Sequence, residues 1–284
     1  MKKNKEIVFF LLLHSAVLGY SDPDFLIIGA MRSGTTSLYN YLVQHPNVLP
    51  ALNVNPKNNE IKNEKGLSHF FVTDFDRGID FYRNQFPSKS ADKITGEKAP
   101  MYLFFPGVAE RVRQSYPNIK LLVILRNPID RMFSNYRRYG TKTFEKFLRQ
   151  KNTEGLGSKL RRDDIKWVKK KISNLRISSK GRMQNIFLEF GKYAEQLERW
   201  LKVFDRSQFL ILIFEEFVAD PEYHMNKVFE FLELPKYKLR RYTKSNASSV
   251  RVEMKEETRR YLGKYFKPQN KRLERLFNRK LPWN

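Results

Sequence analysis

The sequence predicts an α/β fold with a central, mostly parallel sheet flanked by helices. Three apolar runs rich in β-branched residues predict buried strands at residues 25–29, 120–125 and 209–214. Each run is followed by a turn and then by a helical pattern, which is typical of parallel strands covered on both faces. Strands alternating with helices over 284 residues favour a doubly wound sheet, in which ligands bind beyond the carboxyl ends of the strands.

The remaining elements follow from weaker patterns. A fourth strand is predicted at residues 94–97, and helices at residues 35–44, 129–139, 193–203 and 221–232. Residues 50–66 are rich in Asn, Lys and Pro and indicate a long loop. The basic residues 142–182 lack apolar periodicity and indicate an insertion or a lid. We expect residues 22–284 to form a single domain.

Residues 1–21 resemble a signal or signal-anchor segment. Three lysines precede an apolar run at residues 7–19, which is too short for a comfortable transmembrane helix. A basic leader followed by a short apolar core is typical of a secretory signal peptide. Two interpretations stay open. The segment is either a cleaved or retained signal, which would allow membrane association, or an extra apolar element packed on the domain.

The composition restricts the classes of chemistry and of partner. The formal net charge is +24, which favours polyanionic partners such as nucleic acid, anionic membrane or acidic polysaccharide. The chain has no cysteine, so disulfides, thiolate catalysis and cysteine-based zinc sites are excluded. Its four histidines are scattered without ligand spacing, so we expect no histidine metal site.

A glycine loop at residues 29–36 is the first candidate site. An apolar strand, a glycine turn and a helix start together form a cradle of backbone N–H groups for an anion. Gly29, Gly34 and Thr36 match the Walker A spacing, but Thr35 occupies the lysine position and the nearest cation is Arg32. A P-loop kinase is therefore disfavoured, and the loop is expected to bind a different phosphate ligand.

A second candidate site follows the strand at residues 120–125. Arg126 leaves that strand at its carboxyl end, Pro128 suits a first helical turn, and Ser134 follows about two turns later. An arginine fork beside a hydroxyl is well suited to a terminal phosphate. Taken alone, the motif means little, because a strand-end arginine often only pairs with a carboxylate.

Together the two sites resemble the sulfotransferases that use 3′-phosphoadenosine 5′-phosphosulfate (PAPS), closest to the heparan-sulfate-type and bacterial carbohydrate branch. Residues 28–36 resemble the family loop for the 5′-phosphosulfate, and residues 125–136 resemble its 3′-phosphate site. Further similar motifs are Ser-His-Phe-Phe at 68–71, Gly-Glu-Lys-Ala-Pro-Met-Tyr at 96–102, and segments at 191–200, 214–217 and 281–283. The resemblance covers residues 24–284 and implies a P-loop-like three-layer fold.

The resemblance implies sulfuryl transfer from PAPS to a hydroxyl or amine of a carbohydrate-like acceptor, without a metal. The implied donor-binding residues are Arg32, Ser33, Gly34, Thr35, Thr36, Ser37, Arg126, Ser134 and Arg251. In-line displacement builds negative charge on the sulfuryl oxygens and on the leaving phosphate, so fixed cations and N–H groups supply most of the stabilisation. That role is expected for Arg32, Lys98 and the loop N–H groups, and Glu97 is expected to position Lys98 or a sugar hydroxyl.

The general base is less well defined by the resemblance. The related carbohydrate enzymes have a glutamate two residues before the histidine of the His-Phe-Phe segment, and Leu67 occupies that position here. Glu64 is the nearest candidate base. His69, whose imidazole has a suitable pKa, and Glu60 are the alternatives.

The partner and the compartment stay open at this level. The cations of residues 236–280 suit an anionic polysaccharide acceptor but are equally compatible with a solubilising surface, and nucleic acid is not the expected partner. A second function class is a non-catalytic polyanion-binding protein on a degenerate nucleotide-binding fold. The compartment would be the Golgi lumen or secretory pathway in a eukaryote and the cytoplasm in a bacterium.

Overall fold

A computed structural model describes residues 20–52, 70–139, 144, 186–242 and 253–283. Its five-stranded sheet is parallel throughout and has the strand order β2-β3-β1-β4-β5. The strands are β1 (Phe25–Gly29), β2 (Val48–Pro50), β3 (Ile94–Lys98), β4 (Lys120–Leu125) and β5 (Phe209–Ile213). The predicted α/β class is confirmed, and all four predicted strands are present. β2, an edge strand, was not predicted.

Helices cover the sheet and connect its strands. They are α1 (Thr35–Leu42), α2 (Ile79–Arg83), α3 (Val108–Ser115), α4 (Pro128–Tyr139), α5 (Ile186–Glu189), α6 (Tyr193–Leu201), α7 (Phe214–Ala219), α8 (Pro221–Phe231) and α9 (Glu256–Phe277). A π-helical turn, Phe70–Asp74, precedes α2. The four predicted helices correspond to α1, α4, α6 and α8. The 22-residue α9 was not predicted.

The sheet separates two apolar layers. Successive strand residues point to opposite faces, so Leu26 and Ile28 of β1 pack in one layer while Phe25 and Ile27 pack in the other. The first layer contains the π-helical turn, α2, α3 and α6, and the second contains α1 and α8. This arrangement is the three-layer architecture that the sequence predicts.

The strand order identifies the edge of the sheet at which a ligand is expected to bind. β1 is central and pairs with β3 on one side and with β4 on the other. The chain therefore reverses its direction of sheet growth beside β1, which is the usual crevice for ligands in doubly wound sheets. The segments that follow β1, β3 and β4 all leave this edge, and they carry the predicted site residues.

The β1–β3 contact is unusually close at Gly96. Gly96 is in register with Phe25, and a Cβ atom at Gly96 would lie 2.2 Å from the Phe25 carbonyl oxygen and 2.8 Å from its ring. No side chain fits this space without moving the strand. Glycine at position 96 therefore sets the distance between the two strands.

Candidate active site

The glycine loop turns tightly from β1 into α1. The Ala30 N–H donates to the Ile124 carbonyl at 2.8 Å, and the Ser33 N–H donates to the Ala30 carbonyl at 3.2 Å, so the loop is held against β4. Gly34 has a φ of 91°, and a Cβ there would lie 2.8 Å from the Phe214 ring. Both the left-handed conformation and the close packing require glycine at this position.

The start of α1 has no side-chain cap at its N-cap position. Gly34 is the N-cap residue, and glycine has no side chain that could cap the first helical N–H groups. No acidic residue lies in the first turn, and a helix N-terminus favours negative charge. The loop therefore has the geometry of an anion site.

Cationic side chains from three strand ends converge on this loop. Arg32 Nε donates to Ser134 Oγ at 3.2 Å, and Arg126 Nη1 lies 3.5 Å from the Arg32 carbonyl oxygen. On the other side, Lys98 Nζ donates to Thr36 Oγ1 at 3.0 Å. The structure thus brings the two sequence motifs and Lys98 together around the start of α1.

Arg126 is held without a carboxylate partner among the described residues. Its guanidinium lies over the Phe214 ring at 4.7 Å, and its carbonyl accepts a hydrogen bond from Tyr193 Oη at 2.9 Å. Burial lowers the pKa of Arg126 below its ordinary value. A desolvated guanidinium of this kind is stabilised by a bound anion.

The two carboxylates near Arg126 are engaged elsewhere. Glu215 accepts from the Asn127 N–H at 2.9 Å and from the Trp283 indole at 2.8 Å. Asp130 accepts from Arg259 at 2.7 Å. Both carboxylates favour the charged form of Arg126 electrostatically, but neither forms an ion pair with it among the described residues.

Arg131 of α4 is a further buried cation, and the sequence did not indicate its position. It is fully buried, donates to the Phe187 carbonyl, and has a pKa lowered by burial. Its position shortly after Arg126, near the start of α4, was a weak signal in the sequence. Its contact with Phe187, far along the chain, left no signal in the sequence. At the edge itself, Arg32, Lys98 and Arg126 supply the positive charge, which suits a ligand with phosphate-like groups.

The expectation for Glu97 was wrong. Glu97 is 2% exposed and faces the layer opposite Lys98, because neighbouring strand residues alternate. Its Oε1 accepts from Tyr82 Oη at 2.6 Å and from Tyr102 Oη at 2.8 Å. It therefore neither contacts Lys98 nor reaches a sugar. Burial raises the pKa of Glu97 from 4.5 to about 8.

This raised pKa makes stability depend on pH. The folded state keeps the Glu97 proton to higher pH than the unfolded state, so between about pH 4.5 and 8 the group destabilises the fold progressively as the pH rises. We expect Glu97→Gln to remove a slope of up to about 1.4 kcal/mol per pH unit. Urea midpoints at pH 5, 6, 7 and 8 measure it. Glu110→Gln, at an exposed carboxylate of α3, is the control, and parallel Glu97→Gln and wild-type profiles would contradict the assignment.

Several predicted features lie outside the described residues. They are the candidate bases Glu60, Glu64 and His69, the donor-site candidate Arg251, the N-terminal segment 1–19, and residues 142–182 except Phe144. Phe144 is buried and packs against Phe133 and Tyr136 of α4, with ring centroids 5.0 and 5.2 Å away. The described residues contain no helix long and apolar enough to cross a membrane. They also contain no His, Asp and Glu cluster that could hold a metal ion.

A parallel sheet with a glycine loop and strand-end cations at its carboxyl edge defines a class of α/β proteins that bind phosphate-containing ligands. Within that class, the chain belongs to the sulfotransferase family, whose model, described as "Sulfotransferase domain", matches residues 22–272. The predicted family is thereby confirmed.

Similar proteins carry names from heparan sulfate modification. The chain is 32% identical over 214 residues to "Heparan sulfate glucosamine 3-O-sulfotransferase 6" of Homo sapiens, covering 75% of this chain and 52% of the relative. It is 25% identical to "Bifunctional heparan sulfate N-deacetylase/N-sulfotransferase 1" of Caenorhabditis briggsae, covering 76% of this chain and 23% of the relative. The chain thus spans about half the length, or less, of these curated relatives.

A solved structure matches over most of both chains. The sulfotransferase from Alicyclobacillus acidocaldarius has a TM-score of 0.68 and 29% identity, covering 92% of this chain and 98% of that one. The agreement in fold and in chain length supports the three-layer architecture described above.

Proposed function

We propose that this chain transfers a sulfuryl group from PAPS to a hydroxyl or amine of a carbohydrate acceptor by in-line displacement. The observation that carries the proposal is the convergence of Arg32, Lys98, Arg126 and Ser134 around the uncapped start of α1. The family membership and the heparan sulfate names of similar proteins support the same function.

The two halves of the site suit the two ends of PAPS. Arg126 and Ser134 are proposed to bind the 3′-phosphate, because a guanidinium fork and a hydroxyl match a terminal phosphate. The loop residues 33–37 are proposed to hold the 5′-phosphosulfate through backbone N–H groups at the start of the helix. Arg251 is proposed as a further donor contact. ATP, which lacks a 3′-phosphate, would leave the Arg126 half of the site unused.

The cations define the chemistry of the transfer step. When the acceptor oxygen or nitrogen attacks sulfur, the bond from sulfur to the bridging phosphate oxygen breaks and negative charge develops on the leaving phosphate. Lys98 and Arg32 are proposed to stabilise that charge. The acceptor proton passes to a general base, for which Glu64 is proposed and His69 and Glu60 are the alternatives. Loss of turnover in Glu64→Gln with unchanged donor binding would support Glu64, whereas retained turnover would exclude it.

The proposed acceptor is an anionic polysaccharide. The outer face of α9 carries five exposed cations spaced three or four residues apart, which places them on one side of the helix. They are Arg260, Lys264, Lys267, Lys271 and Arg275, and none forms an ion pair within the described part of the chain. The flanking cations Arg259 and Arg272, in contrast, pair with Asp130 and Glu198. The unpaired row suits a linear polyanion.

Neutralising this row is expected to weaken binding of a long acceptor. For Lys264→Gln/Lys267→Gln/Lys271→Gln we expect the KM of a long anionic polysaccharide to rise by about tenfold at low salt, since each exposed contact contributes up to about 1 kcal/mol. The KM of a short oligosaccharide should stay unchanged. The control variant Arg113→Gln/Lys202→Gln/Lys227→Gln removes the same charge from exposed positions outside residues 236–280. Equal effects of both variants would show that only net charge matters.

Transfer of label from ³⁵S-labelled PAPS tests the function directly. The full chain is incubated with the donor and a panel of heparan-type, chondroitin-type and neutral glycans, and label in the glycan is measured. We expect transfer to at least one anionic glycan. Binding of adenosine 3′,5′-bisphosphate without any transfer would refute the enzyme and favour the non-catalytic polyanion-binding alternative.

A further inference from the structure

The peptide group between Arg126 and Asn127 is bonded to side chains on both of its polar atoms. The Arg126 carbonyl accepts from Tyr193 Oη at 2.9 Å. The Asn127 N–H donates to Glu215 Oε1, also at 2.9 Å. The Asn127 side chain in turn accepts from the Ile129 N–H at 3.0 Å, at the start of α4. The backbone from which the Arg126 side chain leaves is therefore held in one orientation.

Trp283, in the segment after α9 (residues 278–283), contacts both of these bonding side chains. Its indole N–H donates to Glu215 Oε2 at 2.8 Å, so one carboxylate receives both the indole and the Asn127 amide. Its ring packs against the Tyr193 ring, with centroids 5.9 Å apart, and both rings are buried. A satisfied buried hydrogen-bond network rigidifies its members. Trp283 therefore restricts the movement of both side chains at once.

The segment after α9 is anchored independently of the Trp283 indole. Arg279 donates to the two oxygens of Glu216 at 2.8 and 3.1 Å. The Leu281 N–H donates to Glu274 Oε1 at 3.1 Å, and the Leu281 side chain is buried in the apolar layer. A change of the indole alone would therefore leave the segment in place.

The helical turn that supplies Glu215 also supports the Arg126 side chain. Phe214 directly precedes Glu215 at the start of α7, and the centre of its ring lies 4.7 Å from the Arg126 guanidinium. The same ring packs against Gly34 of the glycine loop, where a Cβ would lie 2.8 Å away. The peptide and the guanidinium of Arg126 thus both contact this turn, and Trp283 is bonded to it.

We infer that Trp283 is a positioning residue for the proposed 3′-phosphate site, because it holds both side chains that fix the peptide carrying the Arg126 guanidinium. The inference rests on the proposed function and adds a residue to it. The indole N–H is already bonded to Glu215, so Trp283 acts through Arg126 and not by binding the ligand itself. Its effect is expected only for nucleotides that carry a 3′-phosphate.

Removing the indole N–H while keeping an aromatic ring tests the inference. For Trp283→Phe we expect the Kd of adenosine 3′,5′-bisphosphate to rise about three- to tenfold, the usual effect of losing one hydrogen bond. The Kd of AMP should change by less than about twofold, since AMP makes no use of the Arg126 half of the site. Calorimetry gives both values. Hydrogen exchange at the Asn127 amide should also accelerate, because its acceptor is less restrained.

Trp200→Phe is the matched control. Trp200 lies on α6, about two helical turns from Tyr193, is buried in the same apolar layer, and stacks on Phe204 with ring centroids 5.8 Å apart. The same substitution there leaves the contacts of the Arg126 peptide intact. The ratio of the two nucleotide Kd values should therefore equal that of the wild type. Equal changes of this ratio in both tryptophan variants would overturn the inference.

A double-mutant cycle with Arg126→Ala separates positioning from a direct or general effect. If Trp283 acts through the arginine, Trp283→Phe should change the Kd of the bisphosphate by less than about twofold in the Arg126→Ala background. A further loss of about threefold or more in that background, or an unchanged Kd in Trp283→Phe alone, would contradict the positioning role. A wild type that binds AMP as tightly as the bisphosphate would instead refute the proposed 3′-phosphate site itself.

Discussion

Replacing Lys98 by alanine is expected to lower kcat for sulfuryl transfer by about 10²- to 10³-fold, the usual effect of deleting a group that stabilises transition-state charge. Lys98 Nζ lies beside the start of α1, 3.0 Å from Thr36 Oγ1, and we propose that the bridging oxygen of PAPS gains charge at this point. The Kd of adenosine 3′,5′-bisphosphate should change by less than about fivefold, because much of this charge exists only during transfer. Single-turnover kinetics with labelled PAPS measure the first quantity and calorimetry the second.

Lys93→Ala is the matched control. Lys93 precedes the other end of β3, where Nζ donates to the Pro46 carbonyl at 3.0 Å, so its loss removes the same charge far from the donor loop. Its kcat should equal that of the wild type. If Lys98→Ala were as active as Lys93→Ala, the catalytic role of Lys98 would be wrong.

Replacing Arg126 by alanine is expected to abolish the preference for nucleotides with a 3′-phosphate. The affinity for adenosine 3′,5′-bisphosphate should fall about 10- to 100-fold, since a hydrogen bond to a charged group contributes about 1.5–3 kcal/mol. The affinity for AMP, which lacks the 3′-phosphate, should change by less than about threefold. Calorimetric titration with both nucleotides gives the ratio directly.

A distant arginine provides the comparison for Arg126. Arg113 of α3 is exposed and donates to the Pro117 carbonyl at 2.6 Å. Arg113→Ala should therefore bind both nucleotides like the wild type. Equal losses for the two nucleotides in Arg126→Ala would place the 3′-phosphate elsewhere.

The elements that the sequence predicted well are those with long apolar runs. β1 and β4 appear with the predicted bounds, because their residues are buried on both faces and so read as continuous hydrophobic stretches. β5 ends one residue earlier than expected because Phe214 begins α7. β2 has only three residues, ends in proline and lies at the edge of the sheet. It has too few residues for a recognisable pattern.

Helix α9 was missed because most of its residues are charged or polar. Only Leu262, Phe266 and Leu273 are buried along its 22 residues, and Pro268 lies inside it. An interior proline argues against a helix in any reading from sequence. Here the helix is maintained by tertiary packing, mainly against α6 and α4.

The site residues that could be predicted from the sequence are those that lie at or just after the end of a strand. Arg32, Lys98, Arg126 and Ser134 were all proposed from motif position, and parallel strands bring such positions to one edge. Glu97 and Arg131 were not predictable in this way. Their roles depend on burial and on partners such as Tyr82 and Phe187, which belong to other segments of the chain.

Three consecutive positions of β3 each require a different type of residue. They are Gly96, Glu97 and Lys98. Gly96 has no room for a side chain against Phe25, while the next two residues face opposite layers. A slip of one residue in the β1–β3 register would exchange those faces. It would bury an ammonium among tyrosines and present a carboxylate to the anionic donor. Gly96 thus fixes the β1–β3 register and, with it, the face of the sheet on which each charged side chain lies. A redesign of this strand must keep that register before it changes the charged residues.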